Sequence, residues 1–245
     1  MALNWSGTGR GTVVLLHGIM SLPHTWWRIG PALAERGWDV TAVDLAAHGG
    51  NRLDRPLDTA TLVDSVIERV PGPVDLLVGH SMGAATAAAL AAGRPSYARA
   101  LVLEDPPGGR ADRGREMARG VEIDAATDRA RLLDRSRREH PGWAPEDVEY
   151  EVVGIEQADV PSVAAGLRSG LGNWDQPALV GGVGVPVLLL AAGGEGTALT
   201  GAAREGVRAV LPADRFVELP GGHCLHRDLP EQWLAEVDAF TTAVL

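Results

Sequence analysis

The pentapeptide Gly79-His80-Ser81-Met82-Gly83 is the part of this chain whose residue types and spacing speak most directly of chemistry. It follows an apolar run, Val74 to Val78, and precedes an alanine-rich stretch from Ala84, so it reads as a strand turning sharply into a helix. A serine at the tip of such a turn is held in a strained conformation with its hydroxyl presented, and glycine two positions to either side leaves room for the close approach. That is how a serine nucleophile is mounted. The bare pattern G-x-S-x-G arises by chance in many chains, and a serine after a strand commonly serves only as a helix N-cap. The strand-to-helix context is what favours the nucleophile at Ser81.

The elements that must position this serine follow from periodicity. Thr12 to Leu16, Asp39 to Val43, Val74 to Val78, Ala100 to Leu103 and Val185 to Ala191 are short, continuously apolar runs that predict buried strands, with Phe216 to Leu219 a shorter one. Pro31 to Arg36, Thr59 to Arg69, Met82 to Ala92, Thr200 to Val210 and Glu231 to Val244 supply helices between and after them. Alternation of this kind predicts an α/β fold, a mostly parallel sheet with helices on both faces. The rhythm breaks between Pro106 and about Val180, where charged helical segments replace strands. The expected organisation is a core formed by 1–105 and 181–245, with 106–180 inserted as a helical cap. The short lead before Thr12 leaves little chain for further opening strands, which predicts a sheet trimmed at that edge.

His17-Gly18, Asp44-Leu45-Ala46-Ala47-His48-Gly49 and the Ser81 turn together resemble the α/β-hydrolase superfamily, in its serine-nucleophile, cap-bearing form. The resemblance covers about 12 to 105 and 185 to 244, and implies a nucleophile, an acid and a histidine in that chain order. His223, in Leu219-Pro220-Gly221-Gly222-His223 between the last strand and the closing helix, stands where this family carries its general base; His226 is the nearby rival. For the acid, the turn after the strand ending at Ala191 reads Ala192-Gly193-Gly194-Glu195, which assigns Glu195. It departs from the commoner Asp and lacks the leading glycine. Glu104 and Asp105, after the strand ending at Leu103, occupy the alternative acid location. The resemblance also assigns the oxyanion hole to the backbone N–H groups of Met82 and Ile19. It implies structural roles for His17 and His48, and His80 packs beside the turn.

The remaining residues narrow the class. Asp and Glu outnumber the basic residues 32 to 22, for a net charge of −10, which repels nucleic acid and anionic lipid. Every basic residue is Arg, so no Schiff-base or phosphate-loop lysine exists. Cys224 is the only cysteine and reads as a small packed side chain, and no histidines show His-Glu-x-x-His spacing. No metal and no cofactor are therefore expected. Neither a membrane-spanning run nor a secretory signal is recognisable, so the expected location is cytoplasmic, with a small-molecule substrate, no nucleic-acid or membrane partner, and an undetermined oligomeric state. Seven Trp against two Phe and two Tyr make Trp26, Trp27, Trp143 and Trp174 candidates for an apolar pocket, ordinary core packing being the competing reading. Nine Arg between Arg110 and Arg138 are interleaved with acids and read as solvated helix faces, or as a rim attracting a substrate carboxylate. His24 and His140 carry no assigned role.

The function implied is hydrolysis of an ester-like bond (carboxylester, lactone or thioester) in a small apolar molecule through an acyl-enzyme on Ser81. A C–C bond hydrolase or perhydrolase would use the same triad. A non-hydrolytic ligand-binding protein, or a lyase or cyclase, could retain the fold.

Overall fold

Alternation along the central strands divides the core in two, and with it the roles of neighbouring residues at the strand ends. The computed structural model describes residues 2–108 and 113–245, with Arg113 described by its backbone only. Arg110 and Asp112 of the arginine-rich stretch lie outside the described residues. The elements run β1 (Ala2–Trp5), β2 (Gly11–Leu16), α1 (Ile29–Glu35), β3 (Trp38–Val43), α2 (Thr59–Arg69), β4 (Val74–His80), α3 (Met82–Gly93) and β5 (Ala98–Glu104). There follow α4 (Arg113–Ala126), α5 (Arg129–Glu139), α6 (Pro145–Gln157), α7 (Val160–Arg168) and α8 (Gln176–Gly181). The chain closes with β6 (Val187–Ala192), α9 (Gly201–Val210), β7 (Phe216–Leu219), the single turn α10 (Leu225–Asp228) and α11 (Pro230–Val244).

The strands form one sheet in the order β1-β3-β2-β4-β5-β6-β7, parallel throughout except for β1, which pairs antiparallel with β3. This is the α/β architecture expected, with one difference at the edge. Ala2–Trp5 does add a strand, because Leu3 and Trp5 alternate onto one apolar face while the backbone pairs with Val40 and Ala42. On that face Val13, Leu15, Leu76, Val78, Ala100 and Val102 pack with α1 and α11. Val14, Leu16, Leu77, Leu101, Leu103 and Leu189 point the other way, toward α2, α3 and α9. The period of two that separates these sets is the pleat itself.

Helix α3 lies at the centre of the second face. Seven of its twelve residues are alanine, and nine of the twelve are buried. Small side chains let it sit against β4 and β5 and bring its N-terminus to the carboxyl edge of the sheet. The segment between β5 and β6 is helical, as its charged pattern predicts, and Ala118, Val121, Leu132, Val152, Ile155 and Val163 continue the α3-side core into it. It is strapped to the chain after β3 by backbone bonds from Asp159 to Ala47, Gly50 to Gln157 and Leu57 to Ser162. Helix α8, at the end of this segment, packs beside α3 and α9 in the sheet's own helical layer. No helix among the described residues is long and apolar enough to cross a membrane.

Candidate active site

Ser81 sits between β4 and α3 with φ 53° and ψ −117°, a left-handed conformation costly for a residue with a Cβ. Two features hold it there. Its N–H donates to the Glu104 carbonyl at 2.8 Å, and its carbonyl accepts from Ala84 and Ala85 at 3.0 and 3.1 Å. The flanking glycines are sterically required: a Cβ on Gly79 would lie 2.3 Å from the Gly83 carbonyl oxygen, and one on Gly83 would lie 2.4 Å from that of Leu16. The spacing read in the sequence thus has its cause in the crossing of β4, β2 and α3.

His223 follows β7 in the loop leading to α10. Its Nε2 lies 2.9 Å from Ser81 Oγ, and its Nδ1 lies 2.7 Å from Asp105 Oδ2. A carboxylate only accepts, so Nδ1 carries the proton and Nε2 is free to accept from the serine hydroxyl. The loop is fixed from beneath by His80, whose Nε2–H donates to the His223 carbonyl at 3.0 Å. Burial first, then neighbouring His223, His226 and Arg227, holds the His80 pKa well below the usual imidazole range, so it serves as a neutral donor.

The carboxylate beside His223 is not the one expected from the sequence. Glu195 is exposed and makes no hydrogen bond to His223; the carboxylate on His223 belongs to Asp105. Asp105 is fully buried, and its oxygens also accept from Ala198 N at 2.7 Å and Thr197 Oγ at 2.9 Å, with longer bonds from Ala192 and Leu199. The loop carrying Glu195 therefore supplies donors instead of the acid. It arches over the end of β5, and its amides converge on Asp105 while Glu195 itself turns outward. Glu104, the other alternative, is directed by the pleat to the opposite face. There its Oε1 accepts from His226 N at 3.1 Å and Nδ1 at 2.8 Å, and its Oε2 from Trp233 Nε1 at 2.9 Å. Glu104 and His226 thus tie β5 to α10 and α11, and His226 stacks on Trp26 at 4.2 Å.

Ile19 and Met82, from which the sequence expects the oxyanion donors, both lie beside the serine. Ile19 and Met82 line a cavity of about 290 Å³ together with Ser81 and His223. Met82 is the first residue of α3, so its N–H has no partner within the helix and lies at the positive end of the helix dipole. The Ile19 loop is held by two buried imidazoles. His48 Nε2 accepts from Met20 N at 3.0 Å, and its Nδ1–H donates to the Ala46 carbonyl at 2.8 Å. His17 Nε2 accepts from Leu45 N at 3.1 Å, and its Nδ1–H donates to the Gly18 carbonyl at 2.7 Å. Burial keeps both neutral, lowering His17 well below the usual range and His48 to about 4. Each is thereby an acceptor for a backbone amide, the structural role the resemblance implies.

Two chambers open on Ser81. The 290 Å³ cavity is walled by Met117, Leu167, Leu171 and Trp174 and, among the described residues, has no carboxylate or guanidinium in its lining. A second, of about 380 Å³, includes the charged and polar side chains of Asp124, His140, Glu151 and Arg227 beside Trp143, Met117, Val121 and Ile155. Of the four tryptophans proposed as pocket walls, Trp174 and Trp143 line these chambers. Trp26 and Trp27 do not: Trp26 is fully buried between His226 and Trp233, and Trp27 donates to Asp147 of α6 at 2.9 Å. Among the described residues, the arginines between β5 and β6 with ion pairs are Arg129, Arg131, Arg135, Arg137 and Arg168, each bound to an acid of the same segment. None of the described arginines before His140 lines either chamber. The pocket arginine is Arg227, which pattern reading did not single out. Cys224 also lines the second chamber, and desolvation raises its thiol pKa far above the ordinary range, keeping it protonated and a poor nucleophile.

Among the described residues, His80, Glu104 and His226 have the composition of a metal site, their ligand atoms lying within 4.8 Å of one another. The hydrogen bonds above account for Glu104 and for His80 Nε2 without an ion.

A family model described as an alpha/beta hydrolase family matches residues 13–237. A pimeloyl-[acyl-carrier protein] methyl ester esterase of Neisseria meningitidis is 37% identical over 91 residues, 37% of this chain and 34% of that protein. An esterase of Mycobacterium tuberculosis is 30% identical over 185 residues, 71% of this chain and 58% of the relative. These matches span from about a third to somewhat over half of the relatives' own length. The crystal structure of a hydrolase from Pseudomonas aeruginosa superposes with a TM-score of 0.79 at 21% identity, covering 98% of this chain and 92% of that one. At that identity the likeness is one of fold.

Proposed function

The chain belongs to the alpha/beta hydrolase family, and from that premise we propose that it is a serine hydrolase that cleaves an ester-like bond through an acyl-enzyme on Ser81. The observation that carries this reading is the continuous relay Ser81 Oγ, His223 Nε2, His223 Nδ1, Asp105 Oδ2, with links of 2.9 and 2.7 Å.

The relay supports the following chemistry. Ser81 Oγ attacks the carbonyl carbon while its proton passes to His223 Nε2, and buried Asp105 stabilises the imidazolium that forms. The carbonyl oxygen becomes an oxyanion facing the N–H groups of Met82 and Ile19. His223 returns the proton to the leaving alkoxide or thiolate, which departs as alcohol or thiol. Water then enters, gives a proton to His223 and attacks the acyl carbon; His223 returns that proton to Ser81 Oγ as it leaves, freeing the acyl group as a carboxylic acid and restoring the serine hydroxyl. The catalytic residues proposed are thus Ser81, His223 and Asp105, with Asp105 in the place first given to Glu195. The apolar chamber fits an aliphatic or aromatic limb of modest size, and the esterase names of the relatives support the ester class.

A fluorophosphonate probe followed by intact-mass analysis tests the nucleophile, and a panel of p-nitrophenyl esters and lactones tests turnover. One adduct on Ser81, absent in Ser81→Ala, with ester hydrolysis lost in the same variant, is the expected result. An unlabelled Ser81 would end the reading, and a labelled one with no turnover across the panel would make the chain a binding protein on this fold.

A further inference from the structure

Arg227 takes no part in the chemistry above, yet it occupies a costly position. It is 5% exposed, four residues after the catalytic histidine, and lines the second chamber with Ser81 and His223. Its Nε is buried without a hydrogen-bond partner, and no carboxylate forms an ion pair with its guanidinium among the described residues. A buried, unpaired guanidinium is unfavourable unless something supplies the counter-charge.

The surroundings define what that something would be. Trp143 covers one face, its ring centroid 4.6 Å from the guanidinium carbon, and the indole is locked by donation to Asp228 Oδ1 at 2.6 Å and by stacking on His140 at 3.8 Å. One face is thus fixed against an aromatic ring while the edge, which carries the N–H donors, remains for a planar anion. Two acids share the chamber, and both are engaged: Asp124 accepts from Arg135 at 2.7 Å, and Glu151 accepts from Ser136 Oγ at 2.6 Å.

We propose that Arg227 binds a carboxylate carried by the substrate, so that the site selects molecules with an apolar limb on one side of the scissile bond and an anionic limb on the other. The selectivity rests on the hydrolase reading for the bond cleaved, whereas the anion subsite itself is a matter of binding. The apolar limb lies against Leu167, Leu171 and Trp174, and the carboxylate meets Arg227 in the second chamber.

Binding is therefore measured in Ser81→Ala, where no turnover intervenes. Calorimetry compares two isosteric pairs: the hexanoyl ester of hydroxypropionate against that of hydroxypropionamide, and the monohexyl ester of succinate against hexyl succinamate. The first pair puts the carboxylate on the alcohol limb, the second on the acyl limb. A charge-assisted contact in this setting predicts about tenfold or tighter binding of the carboxylate in one pair. Arg227→Gln in the same background should bring that ratio near one, while Arg227→Lys, which keeps the charge, should retain an intermediate preference. If Arg227→Gln fails to fold by circular dichroism, the lysine variant and the parent decide. Equal binding of carboxylate and amide in both pairs, or a preference that survives Arg227→Gln, overturns the proposal. Tight carboxylate binding by Ser81→Ala with no hydrolysis of either ester by the parent protein would sink the hydrolase reading and leave the subsite standing.

Discussion

Replacement of Asp105 by Ala separates the two candidate acids. In the native site Asp105 receives the His223 Nδ1 proton at 2.7 Å, Ala198 N at 2.7 Å and Thr197 Oγ at 2.9 Å. Removing the carboxylate releases His223 to the tautomer with its proton on Nε2, which cannot accept from Ser81, and withdraws the negative charge that stabilises the imidazolium. Loss of an orienting acid costs on the order of 10⁴-fold in kcat, or about 5 kcal/mol of barrier. It also removes the acceptor of the half-buried donors Ala198 N and Thr197 Oγ, at about 1 kcal/mol of folding stability each. Glu195→Gln, by contrast, alters an exposed side chain with no bond to His223 and should leave kcat within about threefold. Initial rates on a p-nitrophenyl ester, normalised to titrated Ser81, together with a urea melt, measure both quantities. An Asp105→Ala protein that keeps more than about a tenth of the native kcat, or a Glu195→Gln protein that loses more than tenfold, would refute the assignment of Asp105.

Three further outcomes follow from the same geometry. Glu104→Gln places an amide N–H₂ against either Trp233 Nε1–H or the His226 donors, and should cost about 2–4 kcal/mol in a denaturant melt while leaving kcat per titrated Ser81 within about threefold. Gly83→Ala drives a Cβ to 2.4 and 2.6 Å from the Leu16 and His17 carbonyl oxygens, and should lower stability by ~3 kcal/mol or abolish soluble protein, read by thermal melting. His48 is lowered from 6.5 to about 4, so the unfolded chain binds the proton more tightly than the native one. The stability this group contributes is complete above about pH 6.5 and is lost as pH falls toward 4, ~3 kcal/mol in all. Urea midpoints between pH 7.5 and 4.5 measure the slope, which His48→Gln should flatten; an unchanged slope would show that His48 is not its source.

Local chemistry made much of this protein legible in one dimension. The continuous apolar runs specify buried parallel strands whatever their order, because only a sheet covered on both faces hides them. The pentapeptide around Ser81 specifies its turn because the glycines are sterically compelled, and the charged block after β5 announces helices. The weaker alternation of Ala2–Trp5 became a strand only through pairing with β3. The choice of acid was equally a matter of three dimensions. Carboxylates stand after both β5 and β6, and the spacing cannot rank them, since the outcome depends on which way each side chain leaves its strand and on where the following loop runs. The pleat sends Glu104 to one face; the arch of the β6 loop turns Glu195 outward and brings its own amides onto Asp105. Arg227 escaped notice for the same reason: an arginine among 22 basic residues has no mark in the sequence, and only burial without a partner, beside a chamber reaching Ser81, sets it apart.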